Sequence, residues 1–271
     1  MQENLYFYRG QDMPRFLRFE GGHIGVHNMG EAVDWYCRHF GMHVLWSSEK
    51  EGQTLLAFGD KNAIPLVQVR GGTQINVWGE EIEGAREANV RLCLATLNLA
   101  ATREKLQQAG IRVTEITTGP DRLPCFDLYD LEGIRLTVTA SETQKESTSL
   151  FCGYGLPRFG VRNLQAAIEW YTNYFNMGVL KSSPDDGRAL MGIDKGEFWI
   201  EELPADAFHG KTPLLARPYF FTEDIEEAHQ FCREQGLAPS PLYGFTEGLR
   251  LFSFYDPDGN QLNIWSYPPE A

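Results

Sequence analysis

The chain contains the same stretch twice, and this repeat limits what it can fold into. Residues 24–42 read IGVHNMGEAVDWYCRHFGM and residues 159–177 read FGVRNLQAAIEWYTNYFNM, with eight of nineteen positions identical. Each copy predicts a short apolar strand, an Asn that caps a helix, and a helix with one apolar face. A second pair, residues 126–138 and 252–264, shares an Asp-x-x-Gly turn between two apolar runs. The repeat therefore predicts two domains of one fold.

Each half reads as two consecutive βαβββ units, because an amphipathic helix preceded by one strand and followed by three extended segments occurs twice in it. A polar stretch without periodicity separates the halves, as expected of a linker. The predicted boundaries are an N-terminal extension (1–18), domain 1 (19–139), the linker (140–155) and domain 2 (156–271).

Composition excludes several classes of protein. A net charge of -13 and a pI near 4.9 argue against a nucleic-acid-binding surface, which needs a basic stripe. No apolar run is long enough to span a membrane and no secretion signal is visible, so we expect a cytoplasmic protein. Five scattered cysteines without metal-binding spacing predict reduced, buried thiols: Cys37, Cys93, Cys125, Cys152 and Cys232.

Four βαβββ units, Trp-Tyr pairs on the first helix of each half and the Asp-x-x-Gly turn before each final strand resemble the vicinal oxygen chelate superfamily. This superfamily includes glyoxalase I, bleomycin resistance proteins and extradiol dioxygenases. The resemblance covers nearly all of the chain from residue 19. It implies an α+β fold of two tandem glyoxalase-like domains, each with two βαβββ units forming an eight-stranded cup. It also implies either pairing of the domains within one chain or a homodimer.

The resemblance places metal ligands at the first, fourth, fifth and eighth strands of a domain, where His, Gln or Glu is usual. The residues at these positions are Gly21, Gln68, Arg91 and Thr137 in domain 1, and Leu156, Glu202, Arg217 and Asn263 in domain 2. Glycine and leucine side chains offer no ligand atom, and a guanidinium is always cationic. We therefore predict cups without a metal cofactor.

A displaced metal site is the alternative. His23 and His27 share one strand face by alternation, and Gln68 is the remaining plausible ligand. Such a site would hold a divalent ion such as Fe, Mn, Zn or Ni. A strand histidine is more commonly a hydrogen-bonded pocket or core group than a ligand.

The resemblance also predicts that Arg158, Glu202, Arg217 and Asn263 converge in domain 2. Two arginines there suit a carboxylate or phenolate ligand, or an Arg217–Glu202 pair that replaces the metal structurally. Both possibilities are open at this point.

Three functions compete. The first is a small-molecule-binding protein whose metal-free cups take an aromatic or anionic metabolite or drug. The second is a dioxygenase, lyase or isomerase with a displaced metal, or a metal-free catalyst that uses His23 or Glu202. The third is a scaffold domain without a site. The predicted ligand-binding residues are His23, His27, Gln68, Arg91, Thr137, Arg158, Glu202, Arg217 and Asn263.

Overall fold

The computed structural model describes residues 16–58, 62–69, 90–141, 147–193, 196–208, 216–244 and 248–267. In these ranges the chain is a mixed α+β protein with four helices and curled sheets. Residues 1–15 and most of the polar stretch before residue 90 lie outside the described part.

Four βαβββ modules follow one another, as the repeat predicts. Module 1 contains β1 (Phe16–Val26), α1 (Met29–Phe40), β2 (His43–Ser48), β3 (Gln53–Phe58) and β4 (Asn62–Gln68). Module 2 contains β5 (Val90–Arg91), β6 (Cys93–Thr96), α2 (Leu99–Gln108), β7 (Thr117–Thr118), β8 (Pro124–Tyr129) and β9 (Arg135–Ala140).

The short strand β10 (Gly153–Tyr154) precedes the second half. Module 3 contains β11 (Arg158–Val161), α3 (Leu164–Phe175), β12 (Gly178–Ser183), β13 (Arg188–Ile193) and β14 (Gly196–Glu202). Module 4 contains β15 (Ala216–Thr222), α4 (Ile225–Glu234), β16 (Tyr243–Gly244), β17 (Arg250–Tyr255) and β18 (Gln261–Ser266). In modules 1 and 3 the first strand pairs parallel with the last, and the other strands continue antiparallel.

Polar side chains begin all four helices, which confirms the predicted caps. In each case the cap oxygen accepts the backbone amide three residues ahead; the caps are Asn28, Asn98, Asn163 and Asp224. The helices α1 and α3 end on left-handed residues, Gly41 (φ 71) and Asn176 (φ 53). The local sequence therefore sets both ends of these two helices.

The described residues form two compact units. The N-unit contains modules 1 and 2 from residue 21 to 157, and the C-unit contains modules 3 and 4 together with residues 16–20. The predicted linker includes β10, and within it Phe151 is fully buried. Tyr154 ties β10 to module 1 because its hydroxyl donates to the Ala63 carbonyl at 2.7 Å.

Each sheet has a helix face and a far face, defined here by which side packs against the helix of the module. Helix α1 packs on β3 and β4, and α2 packs on β8 and β9. Helix α3 packs on β13 and β14, and α4 packs on β17 and β18. Helix faces are apolar and buried. In the C-unit this core is aromatic: the Tyr171 ring lies 5.3 Å from that of Phe198, and the Phe175 ring 5.7 Å from that of Phe220.

The two repeated motifs meet in one buried hydrogen bond per unit. The Tyr36 hydroxyl donates to Asp130 Oδ2 at 2.6 Å, and the Tyr171 hydroxyl donates to Asp256 Oδ2 at 2.8 Å. The other oxygen of each Asp accepts two turn amides, those of Glu132 and Ile134 or of Asp258 and Asn260. The Trp-Tyr and Asp-x-x-Gly motifs are therefore structural. They join the first helix of a unit to its last hairpin.

The cysteines are reduced and mostly buried, as the composition predicts. All five cysteines are free thiols, four of them buried and Cys37 half-buried. Burial raises the pKa of the Cys232 thiol to about 12, so this thiol is unreactive at neutral pH. Within the described ranges, every helix is too short or too polar to cross a membrane.

Candidate functional site

The far face of the module 2 sheet carries a buried ion cluster. Two arginines surround one carboxylate: Arg91 Nη1 lies 3.6 Å from Asp127 Oδ1, and Arg135 Nη2 donates to Asp127 Oδ2 at 2.6 Å. Thr137, paired with Asp127 across β8 and β9, donates its hydroxyl to Oδ1 at 2.6 Å. Burial alone would raise the pKa of Asp127, but the two guanidinium charges and the hydrogen bonds lower it below its usual value.

The module 3 sheet repeats this arrangement on its far face. Arg158 holds Glu201 with two parallel hydrogen bonds, of which Nη2 to Oε2 measures 2.7 Å. Arg188, opposite Glu201 on β13, brings a second guanidinium to 3.9 Å. Glu201 is 6% exposed. Among the described residues, each cluster thus brings two arginines to one carboxylate.

Trp199 lies beside the module 3 cluster, two residues before Glu201 on the same strand face. It pairs with Arg158 across β11 and β14 and is 4% exposed. Its indole Nε1 is buried, and none of the described groups accepts a hydrogen bond from it. A buried donor without an acceptor costs free energy comparable to a lost hydrogen bond. The indole N–H is therefore an unsatisfied donor among the described groups.

The far face of module 4 is aromatic. The Trp265 ring lies 6.0 Å from that of Tyr219 and 4.6 Å from that of Tyr267. Asn263, two residues before Trp265, is 2% exposed and donates through Nδ2 to the Pro218 carbonyl at 3.4 Å. Asn263 was predicted to converge with Arg158 in a ligand site; it lies on the far face of the module 4 sheet, and its binding role stays a prediction.

Two predicted site residues lie on the opposite face of their sheets, so the predicted convergence of Glu202 with Arg158 is wrong. Glu202 pairs with Val161, a fully buried helix-face residue, and its Oε2 accepts the Leu164 amide at 2.8 Å at the start of α3. Arg158 binds Glu201 instead. Neighbouring residues of a strand point to opposite faces of the sheet. A sequence alignment displaced by one residue therefore selects Glu202 in place of Glu201.

Gln68 is the counterpart of Glu202 in module 1, and the same correction applies. It pairs with the buried Val26 and donates through Nε2 to the His27 carbonyl at 3.4 Å. The side chain of Arg217, the other predicted partner of Glu202, lies outside the described part of the structure. The predicted Arg217–Glu202 pair therefore stays a prediction.

The two histidines of the proposed displaced metal site have separate surroundings. His23 is on the far face of module 1 and is 6% exposed. His27 is exposed, and its Nδ1 lies 2.9 Å from Glu132 Oε2, while its backbone amide donates to Oε1 at 2.7 Å. In the second copy Arg162 binds Asp258 in the same way. His27 thus fixes a turn.

These residues do not fit the divalent metal that the resemblance implies. Among the described residues, no three His, Cys, Asp or Glu side chains lie close enough together to hold an ion. Gln68 and His23 lie on opposite faces of one sheet. Other ligand positions that the resemblance implies carry guanidinium, hydroxyl or amide groups, which do not form a divalent-metal site.

Four site residues were not predicted from the sequence: Asp127, Arg135, Arg188 and Glu201. A signal for Glu201 existed in the segment 197–202, EFWIEE, where the apolar residues Phe198 and Ile200 alternate with Trp199 and Glu201. Strict alternation would have placed Trp199 and Glu201 on one face. No comparable local signal identifies the arginines, since they come from neighbouring strands.

Comparison with known proteins agrees with this architecture. The model of the Glyoxalase/Bleomycin resistance protein/Dioxygenase superfamily matches residues 16–138 and 155–264. The chain belongs to this superfamily. No curated protein is similar enough in sequence to be matched. This membership confirms the family and the tandem glyoxalase domains expected from the repeat.

Solved structures of superfamily folds resemble the chain over most of its length. Glyoxalase I from Zea mays has a TM-score of 0.65 at 18% identity and covers 92% of both chains. A putative dioxygenase from Bacillus subtilis has a TM-score of 0.64 at 13% identity, covering 93% of this chain and 87% of its own. The CppA protein from Streptococcus pneumoniae has a TM-score of 0.52 at 11% identity and covers 94% and 98%. At such identities the likeness establishes the fold alone.

Proposed function

We propose that this superfamily member binds a small aromatic anion without a metal, and that the far face of module 3 holds the anionic group. The observation that carries the proposal is the buried indole N–H of Trp199, which has no acceptor in the described part of the chain and lies on the same strand face as Glu201, with Arg158 and Arg188 around that carboxylate. A ligand carboxylate or phenolate satisfies both features, because it accepts hydrogen bonds and carries negative charge.

The arrangement distinguishes roles for the two arginines. Arg158 is committed to Glu201 by two hydrogen bonds, so it positions that carboxylate. Arg188 lies 3.9 Å from Glu201, and its side chain is 35% exposed, so its guanidinium can turn toward an incoming anion. Glu201 prevents the site from being purely cationic and so favours a ligand with a single negative charge over a dianion.

An aromatic ligand body agrees with the rest of this face. Trp199 and its neighbour Leu190 on the adjacent strand supply apolar surroundings, which an aromatic ligand body matches better than a polar one. The proposed ligand class is thus an aromatic monocarboxylate, with 4-hydroxybenzoate as a simple probe.

The test is calorimetric titration of the protein with 4-hydroxybenzoate and with the uncharged 4-hydroxybenzamide. Trp199→Phe keeps a large ring and removes only the donor, so we expect the carboxylate to bind about tenfold more weakly, as for loss of one hydrogen bond to a charged group. Trp170→Phe, on α3 in the same unit, is the matched control and is expected to bind as the parent does. Equal binding by both variants, or of amide and carboxylate, would refute the proposal.

Metal independence is tested on the same preparation. After growth with iron, manganese, zinc and nickel present, elemental analysis should show no near-stoichiometric metal, and adding each ion should leave the melting temperature unchanged. Near-stoichiometric metal that is lost in His23→Ala would instead support a displaced site and the enzyme alternative.

A further inference from the structure

A cleft lies on the helix side of the N-unit, away from the far faces of its sheets. It has a volume of ≈ 340 Å³ and is formed by the last turn of α1, the start of α2 and residues 148–150. Arg38 and His39 line it from α1, and Lys105 lines it from α2. Such a volume accommodates a small metabolite.

The cleft is cationic in an acidic chain. Among the described residues that line it there is no Asp or Glu, although the whole chain has a net charge of -13. Neither Arg38 nor Lys105 forms an ion pair or a side-chain hydrogen bond with any described residue. Burial and the charge of Arg38 lower the pKa of His39, the direction expected where no carboxylate stands beside the imidazole. Within the described part of the protein, Arg38 and Lys105 are thus not held in ion pairs, although Asp34 lies one turn before Arg38 on α1 and Glu104 precedes Lys105 on α2.

The internal repeat shows that the fold does not need these groups. The helices α3 and α4 reproduce α1 and α2 in the C-unit at offsets of 135 and 126 residues. At the matching positions these three side chains are absent and acids appear: Arg38, His39 and Lys105 correspond to Asn173, Tyr174 and Phe231, and Leu97 and Asn98 correspond to Glu223 and Asp224. Positive charge at this place is a property of the first copy only.

We propose that this cleft binds the phosphate group of a small phosphorylated metabolite. Three nitrogen-bearing side chains from two helices can each donate to a different oxygen, which suits a phosphate better than a planar carboxylate. The start of α2 adds a favourable dipole, whereas the last turn of α1 brings the negative end of its dipole, so the charges of Arg38 and Lys105 supply the attraction. The cleft exceeds the size of a bare phosphate ion, and Leu97 and Leu150 line the remainder, so the phosphate is expected to carry an organic body.

The test is calorimetric titration of the intact protein with glycerol 3-phosphate, inorganic phosphate and glycerol at constant ionic strength. The double variant Arg38→Gln with Lys105→Gln is expected to bind glycerol 3-phosphate at least about tenfold more weakly than the parent. The matched control, Lys181→Gln with Arg233→Gln, removes the same charge from exposed positions of the C-unit and is expected to bind unchanged. Both doubles alter exposed side chains, and their melting curves should match that of the parent.

Each outcome decides the proposal. Loss of binding in the cleft double alone supports it. Equal weakening in both doubles, or no binding of glycerol 3-phosphate by the parent, overturns it. Equal affinity for inorganic phosphate and glycerol 3-phosphate overturns the assignment to a phosphorylated metabolite. Trp199→Phe retains this binding, so the cleft and the module 3 face are tested separately.

Discussion

Replacing Asp127 by Asn is expected to destabilise the N-unit by about 3–5 kcal/mol, because it removes the carboxylate that lies between the buried Arg91 guanidinium and the partly buried Arg135 guanidinium. Asn keeps the size of the side chain and an acceptor for Thr137. The loss of stability should therefore measure the effect of removing the negative charge rather than the effect of a cavity. Urea denaturation followed by circular dichroism measures it as a lower transition midpoint at unchanged slope.

The control for Asp127 is an exposed pair in the same unit. Glu115 lies 2.7 Å from Arg103, and its side chain is 86% exposed, so Glu115→Gln should cost less than about 1 kcal/mol. Comparable costs for the two substitutions would show that the buried cluster contributes no more than a surface pair. Adding Arg135→Met to Asp127→Asn should restore part of the lost stability, because one of the two positive charges that faced Asp127 is then removed.

The Asp127 effect has a defined pH dependence. The pKa of Asp127 in the folded protein is below its value in the unfolded chain. Its stabilising contribution is therefore present above the unfolded pKa and is lost as the pH falls through the folded pKa. The stability difference between parent and Asp127→Asn should thus shrink in acid.

Asp130 is expected to show the opposite pH dependence. Burial raises its pKa to about 7, although the Tyr36 hydroxyl and two amides donate to it. The folded state then binds a proton more tightly than the unfolded state, so the contribution of Asp130 is fully present below the unfolded pKa and is lost as the pH rises to about 7. Relative to Asp130→Asn, which resembles the protonated acid, the parent should lose about 3 kcal/mol between pH 5 and pH 8.

The measurement for Asp130 is the free energy of unfolding of parent and Asp130→Asn at pH 5, 6, 7 and 8. Asp256→Asn is the internal comparison, because burial raises the pKa of Asp256 only to about 6, and its decline should end about one pH unit earlier. Parallel curves for parent and variant over this range would show that Asp130 stays ionised in the folded protein. Asp130→Ala, which leaves three donors without an acceptor, should be strongly destabilising at every pH.

The sequence predicted the fold well because its signals are local and occur twice. Asn28 and Asp224 identify helix starts by their chemistry alone, and a match between copies confirms each assignment at a second site. The resemblance to the superfamily then supplied the order of strands. None of these inferences requires knowing which face of a strand a side chain occupies.

The candidate site was harder to predict because it depends on that face. Two glutamates are adjacent at positions 201 and 202, and only the pairing of β14 with β11 shows that Glu201 shares a face with Arg158. The cluster around Asp127 joins β5, β8 and β9. Asp127 and Arg135 lie 36 and 44 residues after Arg91 in the sequence, and only strand pairing brings them together. That the Trp199 indole N–H has no acceptor among the described residues is likewise visible only in the three-dimensional structure.

The Tyr–Asp hydrogen bonds have a consequence for how the chain acquires its structure. They join residues 94 and 85 positions apart, so in each unit a long loop must close before the bond can form. Closing such loops costs conformational entropy. The contacts that offset this cost form only when both modules of the unit are in place. An isolated module 1 would leave the Tyr36 hydroxyl without its acceptor. Each unit is therefore expected to fold slowly and as a whole, with the helix-to-hairpin closure as a late, cooperative step.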